Sequence, residues 1–420
     1  MSRRFENVFL RMETNMPAGE LLSRLSRRRV RAGWTRLFLL FSVFIWISCD
    51  SKLSELFASE SPSIFALNPA SEFDPLMQAL KGETGQATSL LWFTDVHENR
   101  ANLKRILSWY DHYQACYDGI IALGDQQNMY FTDDFSWWAE DGASKVLQVI
   151  GNHDAWISKS MYEEGNYEGQ VVRGYGKGNP FYIISQKDVY AKFFAPYIAS
   201  WGVIQPDGVA SMIGACYYYK DYGKVRLVVV DCKHYGTVDD MDENNLSYQD
   251  RWLEGVLEDA REKGLAVMVA SHYSPAAATL IPCAYTRKEA TGLYSDRLNS
   301  AAYKKVARFI DKGGEFVCWM SGHGHYDEIG VLEADPRQLL IRCATANHNR
   351  GKLVSRHVGT KSQDSFNCIS VDTDTKLVYI VKVGADENED GERKRVVKYC
   401  YRDYTDAAGQ PHGKGLVACY

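Results

Sequence analysis

Residues Ser89–Arg100 read SLLWFTDVHENR, an apolar run that ends abruptly in Asp95 and His97. Apolar residues without polar alternation predict a strand covered on both faces, as in α/β sheets. Such sheets place functional groups beyond the carboxyl ends of their strands. Side chains two positions apart on an extended segment point the same way, so Asp95 and His97 are predicted to converge on one ligand, such as a divalent metal. The alternative is that Asp95 caps a following helix and His97 is an ordinary loop residue.

Outward from this strand, the chain alternates apolar strands with amphipathic segments, which is typical of an α/β fold. The pattern predicts helices at 99–113 and 249–264 and strands at 90–94, 119–123, 145–150, 224–231, 265–271 and 314–322. The remainder predicts additional β structure, with a turn near Asp372 to Thr375.

The other predicted strands end in residues of the same kinds. They are followed by Gly124 and Asp125, by GNHD at 151–154, by Ser271 and His272, and by GHGH at 322–325. Small residues beside these side chains let the backbone and a metal approach each other closely. Five of the ten histidines follow predicted strands in this way, which predicts one shared metal site at the sheet edge.

In order and residue type, these motifs resemble the calcineurin-like metallophosphoesterase superfamily. Its signature is D-x-H, then GD, then GNH followed by D or E, then a single His, then GH-x-H. The resemblance covers about residues 89–350 and implies a four-layer α/β/β/α sandwich. It also implies metal-dependent hydrolysis of a phosphomonoester or phosphodiester, with a metal-bound hydroxide as the nucleophile.

The resemblance further implies a role for each motif residue. One divalent ion would be held by Asp95, His97, Asp125 and His325, and a second by Asp125, Asn152, His272 and His323. Asp125 would bridge the two ions, whose repulsion requires a shared anion. Mixed imidazole, carboxylate and amide ligands fit Mn, Fe, Zn or Ni. His153 would be the leaving-group acid or a donor to the phosphate, with Asp154 orienting its ring.

The segments around these motifs bear on the substrate. The protein Ser/Thr phosphatase branch continues its GD motif with a segment that ends in Asp-Arg-Gly, whereas Asp125 is followed by QQNMYF. We therefore do not expect protein phosphatase activity of that type. An aromatic-rich insertion at about 155–220, with FSWW at 135–138, could stack on a base or sugar and favour a nucleotide, glycan or lipid headgroup. Packing in the core is the alternative role for these aromatic residues.

A different class of function is also compatible with the motifs. A non-catalytic surface lipoprotein could keep the same scaffold and bind glycan or peptide. The complete set of ligand residues favours the enzyme, because a decayed enzyme is expected to lose some of them.

The first 49 residues predict an export signal. Residues 1–36 hold nine arginines, no lysine and three glutamates, and they lead into the apolar run LFLLFSVFIWI at 37–47, which is short for a bilayer span. Ser48 and Cys49 resemble the cleavage and lipidation site of bacterial lipoproteins. We therefore expect an exported, membrane-anchored lipoprotein of a bacterial cell envelope, periplasmic or surface-facing. A retained N-terminal membrane anchor is the alternative.

Composition divides the rest of the chain. Residues 50–88 predict a tether and lead-in, 89–390 the metallophosphoesterase-like domain and 391–420 a C-terminal β extension. The whole chain has a net charge of −5 and residues 1–48 contribute +6, so the remainder carries −11. Such a surface repels polyanions, and tight nucleic-acid binding is not expected.

The ten cysteines lack C-x-x-C pairs or regular spacing, which predicts packed thiols.

Overall fold

The structure is a computed structural model of the 420-residue chain. It describes residues 62–420 apart from 83–84, 128–133, 166, 168, 170, 175–180, 209, 232–242, 282–300, 352–354 and 386–394. The predicted signal and lipidation segment at 1–49 lies outside the described residues. Residues Pro62–Tyr420 form one compact unit. Within the described part of the chain, no helix combines the length and apolar content needed to cross a membrane.

The described helices fall mainly in the first two thirds of the chain. They are α1 (Ile64–Leu67), α2 (Ala70–Ala79), α3 (Arg100–His112), α4 (Ser136–Glu140), α5 (Lys159–Glu163), α6 (Gln186–Val189), α7 (Ile198–Trp201), α8 (Ala210–Ile213), α9 (Glu243–Glu262) and α10 (Ala301–Asp311).

The described strands run through the whole unit. They are β1 (Thr88–Phe93), β2 (Gly119–Leu123), β3 (Leu147–Val149), β4 (Trp156–Ser158), β5 (Val171–Gly174), β6 (Phe181–Ile184), β7 (Tyr218–Tyr222), β8 (Val225–Val229), β9 (Ala266–Ala270), β10 (Ala278–Leu280), β11 (Glu315–Ser321), β12 (Glu328–Leu332), β13 (Leu339–Arg342), β14 (Ser365–Asp372), β15 (Leu377–Gly384), β16 (Val396–Cys400), β17 (Tyr404–Thr405), β18 (Pro411–His412) and β19 (Gly415–Cys419).

Two seven-stranded mixed sheets form the centre of the unit. The first has the order β19-β16-β15-β14-β1-β2-β3, with β1, β2 and β3 parallel and β14 antiparallel to β1. The second has the order β10-β12-β13-β11-β9-β8-β7, with β8, β9, β11 and β13 parallel. The parallel strands therefore direct the loops that follow β1, β2, β3, β9, β11 and β13 toward the edge where the motif residues lie.

Alternation along the strands explains the layers. On β8, Leu227 and Val229 belong to the large core that includes residues of the first sheet, whereas Val228 packs with residues of α9 and α10 on the other face. Helix α3 covers the outer face of the first sheet, where the rings of Trp109 and Phe366 lie 5.7 Å apart. The fold is thus a mixed α/β sandwich with two sheets between helices, as the motifs predict.

Strand β1 owes its apolar character to its position between two layers. Every residue of β1 is buried, because helices cover one face and the second sheet covers the other. Helix α3 starts where Asn99 accepts a hydrogen bond from the backbone amide of Asn102 through its side chain. Asn99, rather than Asp95, is the N-cap of α3, which leaves the Asp95 carboxylate available for another role.

The aromatic insertion lies largely inside the molecule. Phe193 and Phe194 are fully buried, Trp201 is nearly so, and Trp138 stacks on Phe135. These side chains pack in the core, as the alternative interpretation of the insertion holds. Trp156 is only partly buried and lies beside His153, with 5.3 Å between the ring centroids.

Candidate metal centre

Four of these loops, those after β1, β2, β9 and β11, bring motif residues together in two groups. The first group consists of Asp95, His97, Asp125 and His325, whose ligand atoms all lie within 4.8 Å of one another. The second consists of Asp125, His272 and His323, within the same limit. These are the carboxylate and imidazole members of the two predicted metal positions, and Asp125 belongs to both.

The first group has short distances between atoms that could each bind a metal. Asp95 Oδ1 lies 3.0 Å from His325 Nε2 and 3.7 Å from His97 Nε2. The two histidine Nε2 atoms are 3.3 Å apart. His97 Nε2 also lies 3.7 Å from Asp125 Oδ2, which joins this group to the second.

The second group is built around the same oxygen of Asp125. His272 Nε2 lies 3.3 Å from Asp125 Oδ2. Asn152 is buried, and its side-chain oxygen Oδ1 makes no hydrogen bond in the described residues. An amide oxygen left in this condition is suited to bind a cation.

Each of the two aspartates has one oxygen held by the protein and one left over. Asp95 Oδ2 accepts hydrogen bonds from Thr94 Oγ1 at 2.7 Å and from the backbone amide of His323 at 3.0 Å. Asp125 Oδ1 accepts the backbone amide of His153 at 2.8 Å. Asp95 Oδ1 and Asp125 Oδ2 are buried and make no hydrogen bond in the described residues. Buried carboxylate oxygens in this state are costly unless a cation pairs with them, so the donor set fits a metal.

Backbone carbonyls fix the orientation of two imidazoles. His272 Nδ1 lies 2.7 Å from the carbonyl oxygen of Leu123, and His325 Nδ1 lies 2.9 Å from that of Arg350. When Nδ1 donates its hydrogen to a carbonyl, Nε2 presents a lone pair toward the centre. Sequence reasoning missed Leu123 and Arg350, because any residue can supply a carbonyl.

The loops that supply the ligands adopt an uncommon backbone conformation. Among the described non-glycine residues, positive φ angles occur at Asp95 (55°), His97 (46°), Glu98 (61°), Asp125 (54°), His323 (62°), His325 (62°) and Lys376 (54°). Such angles cost about 1 kcal/mol or more at each position and are concentrated at functional sites. Five of these seven residues belong to the two ligand groups, so the strain is concentrated at the site.

Glycines permit the close approach of the loops. A Cβ on Gly151 would collide with the Asp125 side chain, and a Cβ on Gly124, which has a φ of +91°, would collide with the His272 ring. These two positions therefore require glycine, both for space and, at Gly124, for the left-handed backbone.

The charges at the site favour a cation. Burial alone would lower the pKa of His272, but the carboxylates of Asp125 and Asp95 raise it to about 9. Burial lowers the pKa of His97 to about 3 despite the same two carboxylates, so this imidazole is neutral near pH 7. The pKa of Asp125 lies well below its usual range, because nearby His272 and His153 outweigh the opposing effect of burial. Ionised carboxylates beside imidazole nitrogens are the ligands that transition-metal ions prefer.

The two residues that follow Asn152 lie at the border of this centre. His153 Nε2 is 3.9 Å from Asp125 Oδ2, and its side chain is 16% exposed, so it is partly accessible to solvent. Both oxygens of Asp154 accept backbone amides, from Asp125, Gln127 and Gly151, at 2.9 Å each. These bonds tie the loop after β2 to the loop after β3. Orientation of the His153 ring by Asp154 is not among the described contacts of Asp154 and stays a prediction.

Comparisons with known proteins give structural likenesses only. No protein-family model and no curated protein matches the chain. A dimetal phosphatase from Danio rerio is similar with a TM-score of 0.43 and 12% identity, over 75% of this chain and 99% of that one. A predicted phosphoesterase from Streptococcus pneumoniae has a TM-score of 0.30 and 10% identity, over 74% and 97% of the two chains. The anchor in the inner membrane complex of Plasmodium has a TM-score of 0.39 and 12% identity, over 79% and 90%.

These likenesses carry no argument about the present chain, because all three TM-scores are below 0.5.

Proposed function

We propose that the chain is a dinuclear metal-dependent phosphoesterase. The observation that carries this proposal is the position of Asp125 Oδ2, 3.3 Å from His272 Nε2 in one ligand group and 3.7 Å from His97 Nε2 in the other. One carboxylate oxygen facing both groups is what two neighbouring cations require. The proposed ligands are Asp95, His97, Asp125 and His325 for one ion, and Asp125, Asn152, His272 and His323 for the other.

Two divalent ions in such a centre supply Lewis acidity for a phosphate ester and for the attacking water. Mn, Fe, Zn and Ni all fit the ligands. The protein's own part is to hold the ligands in place and to provide His153 at the border. Burial lowers the pKa of His153, so its imidazole is neutral near pH 7 and has one N–H to donate to a phosphate oxygen or to the leaving group.

The test compares His153→Ala with His357→Ala, a matched control at an exposed histidine remote in sequence from the motifs. Metal-stripped full-length protein is resupplied with Mn and assayed on a chromogenic phosphomonoester and a chromogenic phosphodiester. We expect metal-dependent turnover that falls about 100-fold or more in His153→Ala with metal content preserved, and that is unchanged in the control. Absence of metal-dependent hydrolysis of both esters by the unmodified protein would reject the proposal and favour the non-catalytic alternative, a protein that binds glycan or peptide.

We also propose that the protein is exported and lipidated at Cys49. The basic segment at 1–36, the apolar run at 37–47 and the Ser48-Cys49 pair support this proposal. Labelling with a fatty-acid analogue in a bacterial host tests it, and Cys49→Ala should abolish both the label and the membrane association. Unchanged labelling in that variant would reject lipidation at this residue.

A further inference from the structure

One cationic side chain near the metal centre has no assigned role. Arg350 ends the short turn His348–Arg350 that follows β13, next to the site. Its carbonyl oxygen lies 2.9 Å from His325 Nδ1, and its amide donates to the carbonyl of Asn347 at 3.0 Å. The backbone of Arg350 therefore contacts the proposed metal ligand His325, and these contacts do not involve the Arg350 side chain.

The surrounding loop is itself tied to the site. Thr345 Oγ1 donates a hydrogen bond to the carbonyl of Asp95 at 2.7 Å. The backbone amide of Asn347 donates a hydrogen bond to the same Thr345 Oγ1 at 3.1 Å. The side chain of Asn99, the N-cap of α3, bonds to Asn347 Oδ1 at 3.1 Å. Arg350 thus lies on a braced loop between the ends of β1 and β11.

The positive charge of Arg350 acts on two histidines of the site. Burial is the main cause of the lowered pKa of His153, and the positive charge of Arg350 lowers that pKa further. The same two effects act in the same direction on the pKa of His97. The rings of His97 and His153 lie 4.5 Å apart, so the two histidines on which this charge acts are neighbours in the site.

In the described part of the chain, the Arg350 guanidinium forms no ion pair and donates no hydrogen bond. Neighbouring arginines differ: Arg342 is paired with Glu328 at 2.6 Å, and Arg356 donates to the carbonyl of Gln363 at 2.8 Å. A half-buried arginine without a carboxylate partner, on a loop whose backbone contacts His325, is suited to bind an anion.

We propose that Arg350 binds a non-bridging oxygen of the phosphate of a phosphomonoester substrate. This inference rests on the proposed phosphoesterase function and deepens it by naming the substrate class. A monoester has three non-bridging oxygens and up to two negative charges, whereas a diester has two such oxygens and one charge. A guanidinium in addition to two cations therefore gains more from the monoester.

The test uses full-length, Mn-loaded protein with Arg350→Gln, Arg350→Lys and the control Arg308→Gln, which removes an equal charge from an exposed position on α10. Inorganic phosphate is titrated by calorimetry, metal content is measured, and kcat/KM is determined for p-nitrophenyl phosphate and bis(p-nitrophenyl) phosphate. We expect Arg350→Gln to weaken phosphate binding and monoester kcat/KM by about 10-fold or more, and diester kcat/KM by less than about 3-fold. The phosphate affinity and monoester kcat/KM of Arg350→Lys should lie between those of the unmodified protein and Arg350→Gln, because lysine keeps the charge but cannot form two parallel hydrogen bonds.

The outcomes separate the two proposals. Phosphate affinity within about twofold of the unmodified protein in Arg350→Gln, or loss of bound metal in that variant, overturns the role of Arg350. Equal losses for both esters overturn the monoester assignment. Absence of hydrolysis in the unmodified protein rejects the phosphoesterase function, and the phosphate titration then tests the anion site alone. A loss of phosphate binding confined to the Arg350 variants supports the anion site. Absence of phosphate binding by the unmodified protein overturns the anion site.

Discussion

Lys382 Nζ lies 2.7 Å from Asp327 Oδ1, and both side chains are buried. Lys382 is on β15 of the first sheet, and Asp327 directly precedes β12 of the second. Asp327 Oδ1 also accepts the amide of Ala344, and Lys382 also donates to Ser365 Oγ at 2.8 Å. Since Asp327 lies two residues after His325, this ion pair joins the two sheets immediately beside the metal centre.

We predict that Lys382→Met lowers the free energy of unfolding by about 3–5 kcal/mol, because it leaves the buried Asp327 carboxylate without its counter-charge. The double variant Asp327→Asn/Lys382→Met should recover most of this loss, since the asparagine oxygen still accepts the Ala344 amide. Denaturant titration followed by tryptophan fluorescence measures both. The matched control is Lys224→Met, which breaks the exposed pair with Asp374 and should lower the free energy of unfolding far less. A similar small cost for Lys382→Met would contradict the prediction.

Asp125→Asn should weaken metal binding at both positions. The variant keeps an acceptor for the His153 amide and removes the negative charge shared by the two ligand groups. Elemental analysis after dialysis against Mn should give less than about one ion per chain, where the unmodified protein binds about two. Asp111→Asn, at an exposed aspartate on α3, is the control and should retain both ions. Normal occupancy and activity in Asp125→Asn would refute the bridging assignment.

Much of this site could be predicted from the sequence because its signals are local. Strand β2 occupies the predicted residues 119–123, and α3 occupies 100–112 where 99–113 was predicted. The D-x-H, GD, GNHD and GHGH motifs each lie in one loop, and parallel strands bring those loops to one edge. Helix α10 was missed, although Ala302, Val306 and Phe309 recur at helical spacing and form its buried face.

The contacts that orient the ligands could not be predicted. The carbonyls of Leu123 and Arg350 that hold His272 and His325 belong to residues whose side chains give no indication of this role. Lys382 lies 55 residues from Asp327, and a lysine on a strand ordinarily indicates a solvent-facing position. Such contacts depend on the packing of two sheets rather than on a local pattern.

Asp154→Asn distinguishes two roles for Asp154. If its carboxylate mainly ties the loops through the amides of Asp125, Gln127 and Gly151, the variant should bind metal about 10-fold or more weakly and unfold more easily, because an amide has one acceptor oxygen for three donors. If its main role is to orient His153, turnover should fall with metal affinity and stability unchanged. We expect the first result. Metal titration, denaturant unfolding and kcat measured on the same samples separate the two roles, with Asp188→Asn as the control outside the motifs.

Single-histidine variants should empty one metal position at a time. His323 belongs to the second ligand group and His325 to the first, although only Gly324 separates them. The two side chains lie in different ligand groups, and the backbone at each has a left-handed conformation, with a φ of 62°. We therefore expect His323→Ala and His325→Ala each to retain about one Mn ion per chain, with the spin coupling of a dinuclear Mn centre lost in both. Elemental analysis and electron paramagnetic resonance measure these properties. Retention of both ions in either variant, or loss of both ions in both variants, would contradict the division of the ligands into two groups that share only Asp125.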